Sequence, residues 1–188
     1  MAQLEGLFIS ESYIKNNTEI DENVNVHKLL PTVWWCQKTY IEQVLGTALF
    51  DDLLGKIAPT DTLSGNDLIL VEKWISPALV NWVMFEAQVP LLYNFRDKSV
   101  GKNSSDFSQP IDYTEHRYLK DNYKKRAESL TKRLEGYLCE NSALFPLYGS
   151  STGLDQLNAT DLPPTTSVYM GGGSVNRSCK QYKYWNGQ

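Results

Sequence analysis

Histidine and cysteine are scarce in this chain, with two of the first and three of the second among 188 residues. His27 and His116 stand at the mouths of different helical segments, with no second ligand at helical or hairpin spacing, so a metal centre is not expected. Cys36, Cys139 and Cys179 are odd in number and widely separated, which fits neither a disulfide framework nor a zinc pattern and points to a reducing compartment. Basic excess is missing too. Eighteen Lys and Arg face twenty-two Asp and Glu, net −4, the wrong balance for a protein whose main task is to neutralise nucleic-acid phosphates. The opening MAQLEGLFIS has neither a basic start nor a long apolar run, and no uncharged apolar stretch reaches the ~18 residues of a membrane span. The richest, from Trp74 to Phe95, is interrupted by Pro77, Asn81, Glu86 and Pro90. The expectation is a soluble, cytosolic chain with no membrane partner.

Catalytic constellations are equally thin. Asp51 and Asp52 are adjacent, so on a helix they diverge by about 100° and do not form the converging pair that acid–base chemistry uses. Gly171, Gly172 and Gly173 lack the Lys-Ser/Thr ending and the flanking strand and helix of a phosphate loop. Asn-x-Ser/Thr triplets at Asn16, Asn103, Asn158 and Asn176 accept glycans only in a secreted chain. No catalytic residue, cofactor or metal site is expected, and the chain reads as a non-enzyme.

Helical periodicity is abundant. From Asp112 to Glu140 the apolar positions Leu119, Tyr123, Ala127, Leu130, Leu134 and Leu138 recur every three or four residues, which predicts one long amphipathic helix. Asp112 and Glu115 have capping-box spacing at its start, and at 1.5 Å per residue it reaches roughly 40 Å. Its basic residues, Lys124, Lys125, Arg126, Lys132 and Arg133, interleave with Asp121, Glu128 and Glu135, which describes a salt-bridged solvent face. Lys28 to Leu45 predicts a helix on Leu30, Val33, Trp34, Ile41, Val44 and Leu45, stopped by Gly46 in a left-handed conformation. A shorter helix follows from Thr47 to about Ile57. Leu68, Val71, Ile75, Leu79, Trp82, Phe85, Val89 and Leu92 carry a third long segment, with a kink expected at Pro77. Arg96 to Ile111 reads as a polar loop.

Both ends differ from this middle. Residues 1–26 hold Glu5, Glu11, Glu19, Asp21 and Glu22 against Lys15, a net −4, so the remainder is neutral; they read as an extended arm with a brief strand or turn. Residues 149–188 are rich in Gly, Ser, Thr, Asn and Pro yet keep Tyr169, Tyr182, Tyr184 and Trp185, too many aromatics for a purely disordered tail. The organisation is therefore an arm at 1–26, an α-helical domain at 27–148 and an extended tail at 149–188. The fold class is all-α: a bundle of three long helices, one kinked, plus a short one. Phe8, Ile9, Trp35, Tyr148, Tyr169, Tyr182, Tyr184 and Trp185 are the candidate protein-contact residues. Trp34 and Trp35 are neighbours and cannot share one interior, which singles out Trp35.

The order of short motifs carries a resemblance. Phe8-Ile9-Ser10 precedes Asp21-Glu22-Asn23-Val24; then come Leu30-Pro31, Gln37, Ile41, Leu45-Gly46-Thr47 with Leu49-Phe50, Trp82, Gly101, the Tyr123–Leu138 helix, Asn141 and Phe145-Pro146. Over residues 1 to about 148 this resembles the head-tail connector (adaptor) proteins of tailed bacteriophages, most closely the neck ring proteins of crAss-like and related phages. The resemblance implies a structural virion protein, a homo-oligomeric ring of twelve copies that docks on the portal protein and passes the DNA channel to the next neck or tail protein. DNA would pass through without sequence-specific binding, and the place of action would be the virion neck, with host cytoplasm during assembly. No role is implied for residues 149–188. The alternatives are a host-directed adaptor using the same arms, or a small helical enzyme whose site is not visible in sequence.

Overall fold

The computed structural model describes residues 6–20, 24, 26–57, 62–96, 99–102 and 113–148. Its fold is all-α. In chain order the elements are α1 (Glu11–Asn17), α2 (Val26–Cys36), a π-helical segment π1 (Gln37–Ile41), α3 (Glu42–Leu45), α4 (Thr47–Ile57), α5 (Gly65–Leu70), a second π segment π2 (Val71–Ile75), α6 (Ser76–Leu92) and α7 (Tyr113–Glu140). Backbone dihedrals stay right-handed helical across both π segments, so α2–π1–α3 and α5–π2–α6 are continuous rods. With α7 they make the three long helices, and α4 is the short one.

Rod α5–π2–α6 is central. It packs most extensively on α7 and next on α2. Trp74 stacks on Tyr137 at a centroid distance of 4.7 Å, Trp82 reaches Thr131, and Lys120 lies over the Phe85 ring, so α6 and α7 run antiparallel. On the other flank Tyr40 stacks on Trp82 and bonds Glu86, which holds α2–π1 against α6. A helix covered on two sides has little need of a polar face. Gly65–Leu91 is long and apolar enough to cross a membrane by length and composition, yet 56% of its most apolar window is buried inside the protein, which accounts for its apolarity by position.

The π segments explain where periodicity misleads. A π turn holds one residue more than an α turn, which offsets the helical phase by about 100°. Ahead of π2, Leu70 is fully buried while Leu68 and Ile69 are exposed; Leu68 therefore does not extend the stripe of Leu79 and Trp82. The kink expected at Pro77 is not a break either. Ser76 N–H bonds the Val71 carbonyl five residues back, and that wider turn directly ahead of Pro77 accommodates a residue with no N–H to give. In α2 the inward positions are Leu29, Val33 and Cys36, and both Trp34 and Trp35 point outward.

Gly46 joins α3 to α4 with φ 78° and ψ 151°, a positive-φ region that side chains avoid. The chain turns there, and Leu49, Phe50, Leu53 and Leu54 of α4 enter the core. Lys56 then ties α4 to α5, bonding Asp52 at 2.6 Å and Asp67 at 2.7 Å.

Two expectations are corrected. The N-terminal stretch is not an extended arm: Ser10 caps α1 by accepting from Tyr13 N–H, and Phe8, Ile9 and Ile14 are buried in the common core. Phe8 meets Phe50 edge-on at 5.4 Å. The holding residue is Gln37, itself wholly buried, whose side-chain amide accepts from Phe8 N–H and donates to the Gly6 carbonyl. The second correction concerns the loop after α6. It begins as a hairpin, β1 (Tyr93–Arg96) against β2 (Ser99–Lys102), antiparallel with Phe95 opposite Val100. Asp112 and the tail 149–188, with Tyr169, Tyr182, Tyr184 and Trp185, lie outside the described residues.

Replacing Gln37 by Ala leaves the buried Phe8 N–H unpaired and removes the bond to the half-buried Gly6 carbonyl, at about 1–3 kcal/mol. Hydrogen exchange of Gln37→Ala should accelerate over residues 6–20 ahead of α6 and α7; uniform acceleration across the chain would refute a local clasp.

Candidate functional site

Several polar groups that reach the interior are tied to one another across the rods. The most developed set crosses all three rods. Glu86 accepts from the Tyr40 hydroxyl at 2.6 Å, and Tyr40 lies flat on Trp82, 3.8 Å between centroids and 4° from parallel. The Trp82 indole N–H donates to Thr131 Oγ1 at 3.0 Å, and Thr131 in turn donates to the Ala127 carbonyl. Burial first, and then the bond to Glu86, push the Tyr40 hydroxyl far above its ordinary range. Burial, followed by the nearby Glu86 charge, does the same to the Cys36 thiol, so Cys36 is a packed, unreactive sulfur at neutral pH.

A second link fastens the N-terminal segment to α7. Tyr123 donates its hydroxyl to Glu19 across more than a hundred residues of sequence. Burial, and then this bond, push the Tyr123 hydroxyl up to about 12, while the same bond, first among its causes, holds the Glu19 carboxyl below its usual range. Arg126 lies 5.6 Å from the Tyr123 ring centroid.

The sequence-predicted contact residues divide into three groups. Phe8 and Ile9 are core residues, 6% and 3% exposed, and offer no surface to a partner; their apolar run was legible, but its destination required Gln37. Tyr148 is half-buried against the core beside Cys139, whose sulfur is 3.9 Å from its hydroxyl. Trp35 is 55% exposed, and Trp34 beside it is 41% exposed. With exposed Pro31 one turn earlier, they give α2 an apolar outer face. Lys38, on the next turn, is engaged by Glu42 and the Phe50 ring.

Other expectations land as follows. Asp52 is taken by Lys56, while Asp51 is exposed. On the charged face of α7, Lys124 and Glu128 approach to 3.9 Å, an exposed pair of small energetic weight. Among the described residues no group of three His, Cys, Asp or Glu is placed to hold a metal ion. Among the described residues, the buried side-chain atoms without a hydrogen-bond partner are His116 Nε2 and the amide of Gln88.

Together these features describe an all-α bundle with polar contacts linking its rods and exposed tryptophan on the outer face of α2. The chain belongs to DUF6712, a family of unknown function, whose model matches residues 41–156, more than half of its length. No curated protein and no solved structure matches it. The match begins at the last residue of π1, so Gln37, Trp34 and Trp35 precede it.

Two measurements check this wiring. Trp82→Phe keeps the stack but removes the bond to Thr131, and should lower stability by about 1–3 kcal/mol in denaturant titration. The Tyr123 contribution is complete below the unfolded phenol value of about 10 and is lost as pH rises towards 12; that of Glu19 is lost as pH falls through its depressed folded value, a small effect for an exposed carboxylate. Tyr123→Phe should therefore flatten the fall in urea midpoint between about pH 10 and about pH 12. An unchanged alkaline profile would remove the Tyr123–Glu19 link from the account.

Proposed function

We propose that this protein is a structural subunit of the neck of a tailed-phage virion, assembling as a homo-oligomeric ring that joins the portal to the next neck or tail component and continues the DNA channel. The observation that carries the reading is the outer face of α2. Trp35 is 55% exposed and its neighbour Trp34 41% exposed on the side of α2 away from the buried Leu29, Val33 and Cys36, and exposed aromatics of this kind are characteristic of protein contact surfaces. The motif order described from the sequence supplies the class of partner. The acid–base balance agrees with a channel component that lets DNA slide, since net −4 gives no strong attraction to phosphate. The protein acts here by contact with other polypeptides, in the virion and, during assembly, in host cytoplasm.

Light scattering coupled to size exclusion tests the reading. Full-length chain, alone or mixed with the portal ring of its phage, should elute with a mass several times that of the 21.4 kDa chain and co-migrate with the portal. A 21.4 kDa species at every concentration, with and without portal, would overturn the assignment.

A further inference from the structure

The outward side of α7 sorts its charges into rows. At about 100° per residue, with Ala127, Leu134 and Leu138 marking the buried side, the acids Asp121, Glu128 and Glu135 line up a heptad apart on one flank. Lys125 and Lys132 face directly away from the core, and Arg126 and Arg133 follow on the other flank. From Asn122 to Arg133 the arc spanned by these basic rows holds only Asn122, Lys125, Arg126, Ser129, Lys132 and Arg133, with no acid and no apolar side chain. All of these but the half-buried Asn122 are exposed. Lys125 and Lys132 stand four residues after Asp121 and Glu128, a spacing that permits pairing, yet Glu128 approaches Lys124 instead, at 3.9 Å. Among the described residues Lys125, Lys132 and Arg133 form no ion pair. Arg126 is the engaged member, set against the Tyr123 ring and within electrostatic reach of Glu19.

The chemistry of this arc selects its partner. Contacts between proteins are built around an apolar core, which the arc lacks. Contacts with nucleic acid are more polar and far more positive, and Lys, Arg, Ser and Asn are side chains that reach phosphate oxygens. Spacing agrees. Lys125 and Lys132 are separated by about 10.5 Å along the helix axis, whereas duplex DNA presents a charge about every 1.7 Å. Phosphates therefore meet the stripe in any register, and contacts to them carry no sequence information. The flanking acid row and the net charge of −4 keep the attraction weak, so a duplex held this way remains free to move.

We propose that Lys125, Lys132 and Arg133, with Arg126 beside them, form the surface through which this protein meets the phosphate backbone of duplex DNA. This rests on the neck reading above, which brings DNA past the protein, and adds to it the face that is turned towards the duplex. The contact is electrostatic and independent of sequence. Three phosphate contacts give log affinity a slope of about −2.7 against log salt per docked copy, which is about a fortyfold loss between about 50 and 200 mM salt.

Fluorescence anisotropy of a short labelled duplex, titrated with the full-length chain at low salt, tests the proposal. The stripe variant combines Lys125→Gln, Lys132→Gln and Arg133→Gln. A control with the same net charge combines Lys73→Gln, Arg117→Gln and Lys124→Gln, all at exposed positions outside the arc. Glutamine is a good helix former, so both should keep the natural circular dichroism spectrum. The stripe variant should bind at least about tenfold more weakly and flatten the salt slope by about two to three, while the control shifts affinity by less than about threefold. Two duplexes of unrelated sequence should bind alike. Equal losses in the two variants would make net charge the cause and overturn the stripe, as would a strong sequence preference or no binding by the natural chain. A stripe variant that keeps its DNA affinity but no longer co-migrates with the portal would assign the arc to a protein and likewise overturn the proposal. Light scattering on the same samples separates the two readings: an oligomer that ignores DNA overturns the stripe and leaves the ring standing, whereas a monomer whose DNA binding depends on the stripe supports the surface and overturns the ring.

Discussion

The central rod, apolar on nearly every side, sets the terms for the rest of this structure. Such a helix is unstable in water until it is covered, because burial of its apolar surface is the main favourable term in folding. The α2–π1 rod covers one flank and α7 the other. Tyr40 and Thr131 close on Trp82 from these two directions, so a single indole is gripped by both neighbours at once. Stacking of this kind adds about 0.5–1.5 kcal/mol beyond burial, and the indole N–H needs its partner once out of water. The interior polar groups thus fix the angle and register of the three rods.

Much of this was legible from spacing alone. The α7 stripe of Ala127, Leu134 and Leu138 is fully buried, and α4 occupies the span read from its apolar residues; Gly46 does end α3 at positive φ, but its ψ of 151° lies outside the left-handed helical conformation expected of it. What failed did so for identifiable reasons. Periodicity assumes a constant turn, and two π segments break that assumption, which is why Leu68 and Trp34 were assigned to inner faces they do not occupy. The N-terminal stretch gave no sustained pattern because α1 is only seven residues long, and its attachment depends on a glutamine amide standing in for backbone pairing, which hydrophobicity does not reveal. Leu119, at the start of α7, continues the stripe in sequence but is 42% exposed, so pattern alone did not show where the stripe loses its cover.

Many motif residues that carry the resemblance to neck ring proteins turn out to serve the fold. Phe8, Ile9, Gln37, Ile41, Leu45, Leu49, Phe50, Trp82 and Phe145 are all buried. They describe how such a bundle is packed, and they leave its partners to be argued from what stays outside. That is why the α2 outer face, where Trp35 is 55% exposed, bears on function more directly than the shared core.

The two π segments also bear on how chain length and contact geometry are related. Each holds a surplus residue inside a rod that stays helical on either side of it. A change of one residue in such a rod emerges as a rotation of one end about the long axis, while the distance between ends changes by only about 1.5 Å. Surfaces on either side of a π segment can therefore be re-aimed around the rod without being pulled from their neighbours, as a swivel in a line turns without lengthening it.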